Sequence, residues 1–207
     1  MARTARPWEA GRIADSLVAL GAAGVPALRR WVEAESAGAE PHVELVALVA
    51  RVLGLVGEPE AEATLIDLLR SSREEWRLAA ASALEHCGGP ASARHLLEAL
   101  EDRSWRVRAR VAVALGAMAD PSLARPISGL LYDENWWVRQ NAAAALSVTP
   151  GGTDYLLAAL DGPDPYAADS ALNQLTVSGV LAEAIERAGS GAATERDRRL
   201  AAAARAS

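Results

Sequence analysis

From Trp76 to Leu146, apolar and small side chains recur at helical spacing, and the pattern returns every 31 residues. The three strongest copies are Trp76-Arg77-Leu78-Ala79-Ala80-Ala81-Ser82-Ala83-Leu84, Val107-Arg108-Ala109-Arg110-Val111-Ala112-Val113-Ala114-Leu115 and Val138-Arg139-Gln140-Asn141-Ala142-Ala143-Ala144-Ala145-Leu146. Between them Asp102 and Asp133 stand six residues before Arg108 and Arg139, and Leu115-Gly116 is followed by Asp120-Pro121. Each period therefore holds two short helices and two turns. A helix pair of this size cannot bury its apolar stripe alone, so stacking on its neighbours completes the core. The expected fold is all-α, a right-handed alpha solenoid of about six helical hairpins without a sheet, forming one domain over 1–207.

The same reading places the other elements. Ile13, Leu17 and Leu20, then Val25, Leu28, Trp31 and Val32, form a first hairpin from Trp8 to Trp31 around Gly21-Ala22-Ala23-Gly24, and Glu33 to Pro41 reads as a longer loop. His42 to Gly57 pairs with Pro59 to Leu69, Glu74 to Cys87 with Pro90 to Glu101, Trp105 to Met118 with Pro121 to Tyr132, and Trp136 to Val148 with Thr153 to Leu160. Asp120 is placed to cap a helix whose first turn holds Pro121. A divergent sixth pair spans Tyr166 to Val177 and Val180 to Ala188. Thr194 and Asp197 then form a capping box, with Asp in the glutamate role, for a polar closing helix.

Charge narrows the choice of partner. The net charge is -6, every basic residue is arginine, and no lysine or phenylalanine occurs. An acidic balance opposes a non-specific grip on phosphate backbones, so nucleic acid is not an expected partner. Positions 140–186 carry no arginine but contain Asp154, Asp161, Asp164, Asp169, Glu183 and Glu186, while Arg103, Arg106, Arg108 and Arg110 crowd together before them. Cys87 stands alone, which leaves no intrachain disulfide and no multi-cysteine metal site, and a reducing compartment is natural. Met1 to Glu9 lacks the apolar run of a signal peptide, and the run from Leu45 to Val56 is broken by Arg51, so the expectation is a cytoplasmic protein without a membrane partner.

The fourth unit, Val107 to Pro121 with Ile127, Leu130, Leu131, Asp133 and Val138-Arg139, closely resembles the short HEAT-like repeats of the phycobilin lyase type. The resemblance is specific over positions 70–147 and looser elsewhere. It implies a curved scaffold or adaptor, with lyases and hydroxylases as rarer members, and fold transfers better than function. One branch similar in repeat design binds two irons through His-Glu dyads. Here Glu85-His86 occurs once and in reverse order, while His42 and His95 precede Val43 and Leu96, so that pattern is absent. A DNA-repair branch uses tryptophans and a carboxylate on a basic surface; Trp105, Trp136, Trp137 and Asp133 resemble it superficially, but the charge has the wrong sign.

Two readings of the surface follow. In the first the chain is a protein-interaction scaffold, binding a protein or basic peptide on a concave face lined by the second helices, through Arg94, Glu98, Arg125, Tyr132, Asp154 and Tyr155, and along a tryptophan edge of Trp105, Trp136 and Trp137. In the alternative it is an enzyme or enzyme accessory, lyase-like, that holds a bulky small molecule against the tryptophans. Arg106 or Arg110 then meets an anionic group and Asp133 or Glu134 handles a proton. Trp136 and Trp137 are adjacent on a helix and cannot both be core; Trp137 aligns with Glu75 and Arg106, charged in two sister units, and is expected to be exposed. The recurring Asp and Arg residues read as a ladder fixing the inter-unit turns. No cofactor, metal set or catalytic nucleophile can be named, because Cys87 sits at a helix end, the wrong place for a dipole-stabilised thiolate, and a P-loop lysine does not exist.

Overall fold

The computed structural model describes residues 14–38, 42–189 and 193–206, and among these every regular element is helical. The expected start of the first helix, Trp8 to Ile13, lies outside the described residues, as do positions 39–41 of the expected loop. The chain divides into two compact units, 1–114 and 115–207.

In the first unit, 14–19 are helical and a 3-10 turn, Gly21–Gly24, leads into α1 (Val25–Ala37). Leu20, expected on the apolar face, is 58 % exposed. The loop expected from Glu33 begins only after Ala37, because nothing from Glu33 to Ala37 breaks a helix. Then follow α2 (Val43–Val56), α3 (Pro59–Leu69), α4 (Glu74–Cys87), α5 (Pro90–Glu98) with a 3-10 turn Ala99–Glu101, and α6, which begins at Trp105, runs past the unit boundary after Ala114 and ends at Ala117. Gly57, in the left-handed region at φ 69°, closes α2 as a left-handed residue after a helix should. α2 packs along α4, and α3 packs against α4 and α5.

The second unit contains α7 (Ala124–Gly129), α8 (Trp136–Val148), α9 (Gly152–Leu160), α10 (Pro165–Val177), α11 (Val180–Gly189) and α12 (Glu195–Ala206). Asp120 accepts the N–H of Ser122 at 2.8 Å, as its capping position implies. The helix expected from Pro121 to Tyr132 is instead broken into a 3-10 turn Pro121–Leu123, α7, and a second 3-10 turn Leu130–Tyr132. Pro126 explains part of this, since it brings no N–H to the helix. Around α8, α9 and α10 the three helices pack mutually, and α11 packs against α12.

The repeat is visible in burial. Leu53, Leu84, Leu115 and Leu146, successive at 31 residues, are all 0 % exposed, each within its own unit. Trp76, Val107 and Val138 share a second register and are also buried. At the end of the chain the Thr194 hydroxyl donates to Asp197 Oδ2 at 2.7 Å, the Thr194 N–H donates at 2.9 Å, and the Asp197 N–H returns a bond to Thr194 Oγ1 at 3.2 Å. This is the reciprocal capping box read from the sequence. Arg187 adds a contact at 2.8 Å.

Substituting Leu115 by Ala removes a fully buried side chain and should cost roughly 2 to 5 kcal/mol in denaturant unfolding. Thr194, through hydroxyl and N–H, and Arg187 together pull the Asp197 carboxyl down to about 2. The folded state thus favours the carboxylate: its contribution is complete above the ordinary carboxylate pKa of about 3.9 and is lost as pH falls through the folded value. Amide-exchange protection of α12 should decline between those limits, and Asp197→Asn should flatten the dependence. A helix equally protected at both ends of that window would refute the assignment.

Candidate functional site

The face that carries a groove in the first unit is built by α2, α4 and α6, the first helices of their hairpins. A depression of about 540 Å³ lies there, with Ala47, Leu55, Leu78 and Ala79 among its apolar lining and Arg51, Glu75, Glu85, His86 and Arg110 as its charged and polar groups. The sequence reading put a concave binding surface on the second helices, so the groove lies on the other helices of the hairpins. The helical register explains it: on α4, Glu75, Ala79, Ser82 and His86 fall on one stripe, opposite the buried Ala80, Ala81 and Leu84.

Charges in the groove are partly committed. Arg110 Nη1 lies 3.3 Å from Glu85 Oε2, a half-exposed pair. The His86 ring nitrogen Nδ1 is 3.3 Å from the Ser82 carbonyl. Because a carbonyl only accepts, Nδ1 carries the hydrogen in that bond and the outer nitrogen faces away from it. Cys87, next along the chain, is no nucleophile at neutral pH, since burial, with the Glu62 charge assisting, pushes its thiol up to about 11.

The recurring arginines, expected to fix the turns, bond inward to the backbone. Arg77 Nη1 donates to the Ser71 carbonyl at 2.9 Å, Arg108 Nη1 to the Asp102 carbonyl at 2.8 Å, and Arg139 Nη1 to the Asp133 carbonyl at 2.8 Å. The acceptor six residues back is thus a carbonyl, which explains why Ser71 can replace the aspartate of the other units. Asp102 uses its carboxylate elsewhere. It takes the Ser104 N–H at 2.8 Å and a two-pronged contact from Arg77, at 2.6 and 2.9 Å, across 25 residues. Burial raises the Asp102 carboxyl, but the Arg77 and Ser104 bonds outweigh it and hold it below its ordinary value. The same contact raises Arg77.

The remaining candidates separate by unit. Trp105 is half-buried with the Arg106 guanidinium 5.0 Å over its ring, and Arg106 also reaches Glu74 at 3.4 Å. In the second unit Trp136 and Trp137 are 48 % and 55 % exposed and meet edge to face, with centroids 4.6 Å apart. Trp137 is exposed as its register implied, and Trp136, its neighbour on the helix, is almost as open. Tyr132 is exposed, Glu134 is exposed, and Tyr155 is half-buried. Asp154 lies 3.8 Å from Arg196 of α12, and Asp161 pairs with Arg199, so part of the acidic stretch is neutralised by the chain's own last helix. Sequence reasoning missed Arg51, Leu55 and Leu78 as groove residues. Their signal was the stripe opposite the buried leucines, whose alanines and leucines equally suit a core.

A HEAT-repeat model matches residues 33–104 and 93–176, and the chain belongs to the HEAT-repeat family. Among solved structures it is similar to the complex of CpcE and CpcF of phycocyanin lyase from Nostoc sp. PCC7120, at 24% identity over 88% of this chain and 80% of that chain, with a TM-score of 0.53. It is also similar to human deoxyhypusine hydroxylase, at 18% identity over 84% and 80% of the two chains with a TM-score of 0.40. An engineered protein matches at 17% identity over 93% of each chain, with a TM-score of 0.44. No curated protein matches the sequence. The lyase likeness is one of fold. Among the described residues no cluster of three or more metal-ligating side chains occurs, and no helix is long and apolar enough to cross a membrane.

Asp102→Ala leaves the Arg77 guanidinium buried without its carboxylate and should cost about 3 to 5 kcal/mol in urea unfolding. Since the folded state depresses the Asp102 pKa, the wild-type contribution is present above the ordinary carboxylate range and is lost as pH falls below it. Asp102→Asn should weaken that acid dependence. A loss below about 1 kcal/mol for the alanine variant would mean that the pair is solvated rather than buried.

Proposed function

We propose that the chain is a HEAT-repeat accessory that holds a bulky, largely apolar small molecule in the first-unit groove and presents the Trp136/Trp137 edge of the second unit to a protein partner. The observation that carries the ligand reading is the groove itself: about 540 Å³ between three helices, within the range of small-molecule sites of about 300 to 1,000 Å³, with an apolar floor and charge around it. Arg51 and Arg110 suit an anionic arm on that molecule, while Glu75 and Glu85 restrict how many such arms enter. The groove residues have no assigned role in chemistry; they bind and orient. A similar fold serves in a phycocyanin lyase complex of two proteins, which is consistent with ligand handling alongside a partner. The scaffold reading draws its support from a separate observation, the two half-exposed indoles side by side.

The planar, sulfonated dye 8-anilinonaphthalene-1-sulfonate is a suitable probe, because it joins an apolar body to one anionic group. It should bind the folded protein with saturable fluorescence. Leu55→Gln with Arg51→Ala alters only groove-facing exposed positions and should weaken the dye by about tenfold, the equivalent of roughly 1.4 kcal/mol, with far-UV circular dichroism unchanged. Equal affinity in the double variant would remove the groove as the site.

A further inference from the structure

The repeat supplies its own cation to one tryptophan and withholds it from the next. Trp105 and Trp136 occupy one register position, 31 residues apart, and Arg106 and Trp137 occupy the adjoining one. In the earlier copy the Arg106 guanidinium lies 5.0 Å over the Trp105 ring. In the later copy an indole stands where that arginine would be and packs edge to face on Trp136 at 4.6 Å. Arginine on aromatic is a recurrent contact in this chain, for Arg73 lies 5.6 Å over Trp76 and Arg139 lies 5.2 Å over Tyr166. Arg139, the nearest arginine in sequence, is therefore already engaged: it is buried, bonded to the Asp133 and Glu134 carbonyls and stacked on Tyr166. Within the second unit no described arginine covers Trp136 or Trp137.

We infer that the Trp136/Trp137 pair receives an arginine from a protein partner, in the place of the arginine that the preceding repeat provides for itself. This deepens the proposal that the edge meets a protein, and rests on it. An indole face attracts a cation through its quadrupole, and guanidinium also stacks flat on it. Little fixed charge competes for the indole faces: α8 carries one basic residue, the committed Arg139, α10, packed against it, carries Asp169 and no base, and α7, also packed against it, carries the exposed Arg125. Beyond the indoles the exposed stripe of α8 continues through Ala144 to Val148, which is 64 % exposed. The side chains at 137, 141, 144 and 148 follow helical spacing, so the fitting partner is a segment bearing an arginine with an apolar residue some three turns away. Tryptophan and arginine are the residues that most often dominate such contacts.

The test uses the full chain and two synthetic probes: a capped, alanine-based helical peptide with one arginine and one leucine three turns apart, and the same peptide with citrulline, which keeps the planar shape and loses the charge. Indole N–H signals of Trp136 and Trp137, assigned with single Trp→Phe variants, are followed by NMR as each peptide is added into the millimolar range. The arginine peptide should shift both signals and bind about three- to tenfold more tightly than the citrulline peptide. Trp137→Arg, which restores the residue pair of the preceding repeat, should abolish that preference while circular dichroism and dye binding in the groove stay as in wild type. Equal binding of both peptides would overturn the arginine inference and leave the edge as an apolar docking surface. No shift with either peptide, or an undiminished preference in Trp137→Arg, would also overturn it. Loss of dye binding alone would count against the groove and not against the edge.

Discussion

Two helices approach only as far as the side chains between them allow, and in each unit that limit is set where a glycine faces an alanine. A Cβ on Gly54 would lie 2.8 Å from the Ala83 carbonyl oxygen and 3.0 Å from its Cβ; one on Gly116 would lie 2.8 Å from the Ala145 Cβ. Each glycine directly follows a repeat leucine, Leu53 or Leu115, that is fully buried. The residue that fills the core is thus adjacent to the residue that lets the next helix close over it. A wider spacing would leave voids around those leucines, and interiors tolerate such voids poorly. It would also break the polar contacts between repeats, because hydrogen bonds weaken within a few tenths of an ångström. In the first unit Glu62 of α3 reaches the N–H groups of Gly89 and Ser92 at 3.0 and 3.1 Å, capping a helix 30 residues on.

Arginine completes what the close approach begins. A guanidinium can bond several carbonyls and a carboxylate in one plane, which lysine cannot do. Arg77 uses this fully: the Ser71 and Ser72 carbonyls on one nitrogen, Asp102 on two others. Arg139 shows the same element under different demands. It keeps the carbonyls but stacks on Tyr166, and its Nε is buried without a partner. The repeat therefore conserves the inward half of the arginine's work, the part that fixes the turn, and varies the outward half.

Most of the fold was legible because stacking leaves a periodic trace. α4 and α8 begin and end where the apolar register and the flanking turn residues place them, and the Thr194–Asp197 box closes as its spacing implied. Departures had local causes: Pro126 inside an expected helix, and no breaker between Glu33 and Ala37 where a loop was expected. The site was less legible. Exposure of Trp137 followed from its register, but that of Trp136 did not, since its counterpart Trp105 is half-buried beneath an arginine that Trp136 lacks. The groove was hidden for a different reason: alanine, leucine and serine line it, and nothing in their identity distinguishes a groove from a core until burial is known.

Repetition separates structural from functional residues in such a chain. A position that recurs with the same partner, as the leucines and the carbonyl-bonded arginines do, is accounted for by stacking, because every unit needs it. A position that changes type while staying exposed is not, and the register of Glu75, Arg106 and Trp137 is of that kind. Within the first unit it delivers a carboxylate to the groove, then a guanidinium shared between Glu74 and Trp105. Within the second it delivers an indole with open surface. Burial makes none of these choices necessary, and each alters the chemistry offered to a neighbour: anion, occupied cation, aromatic face. Diversity at one exposed register position is how a series of near-identical hairpins acquires distinct binding chemistry without disturbing the glycine–alanine contacts within each unit.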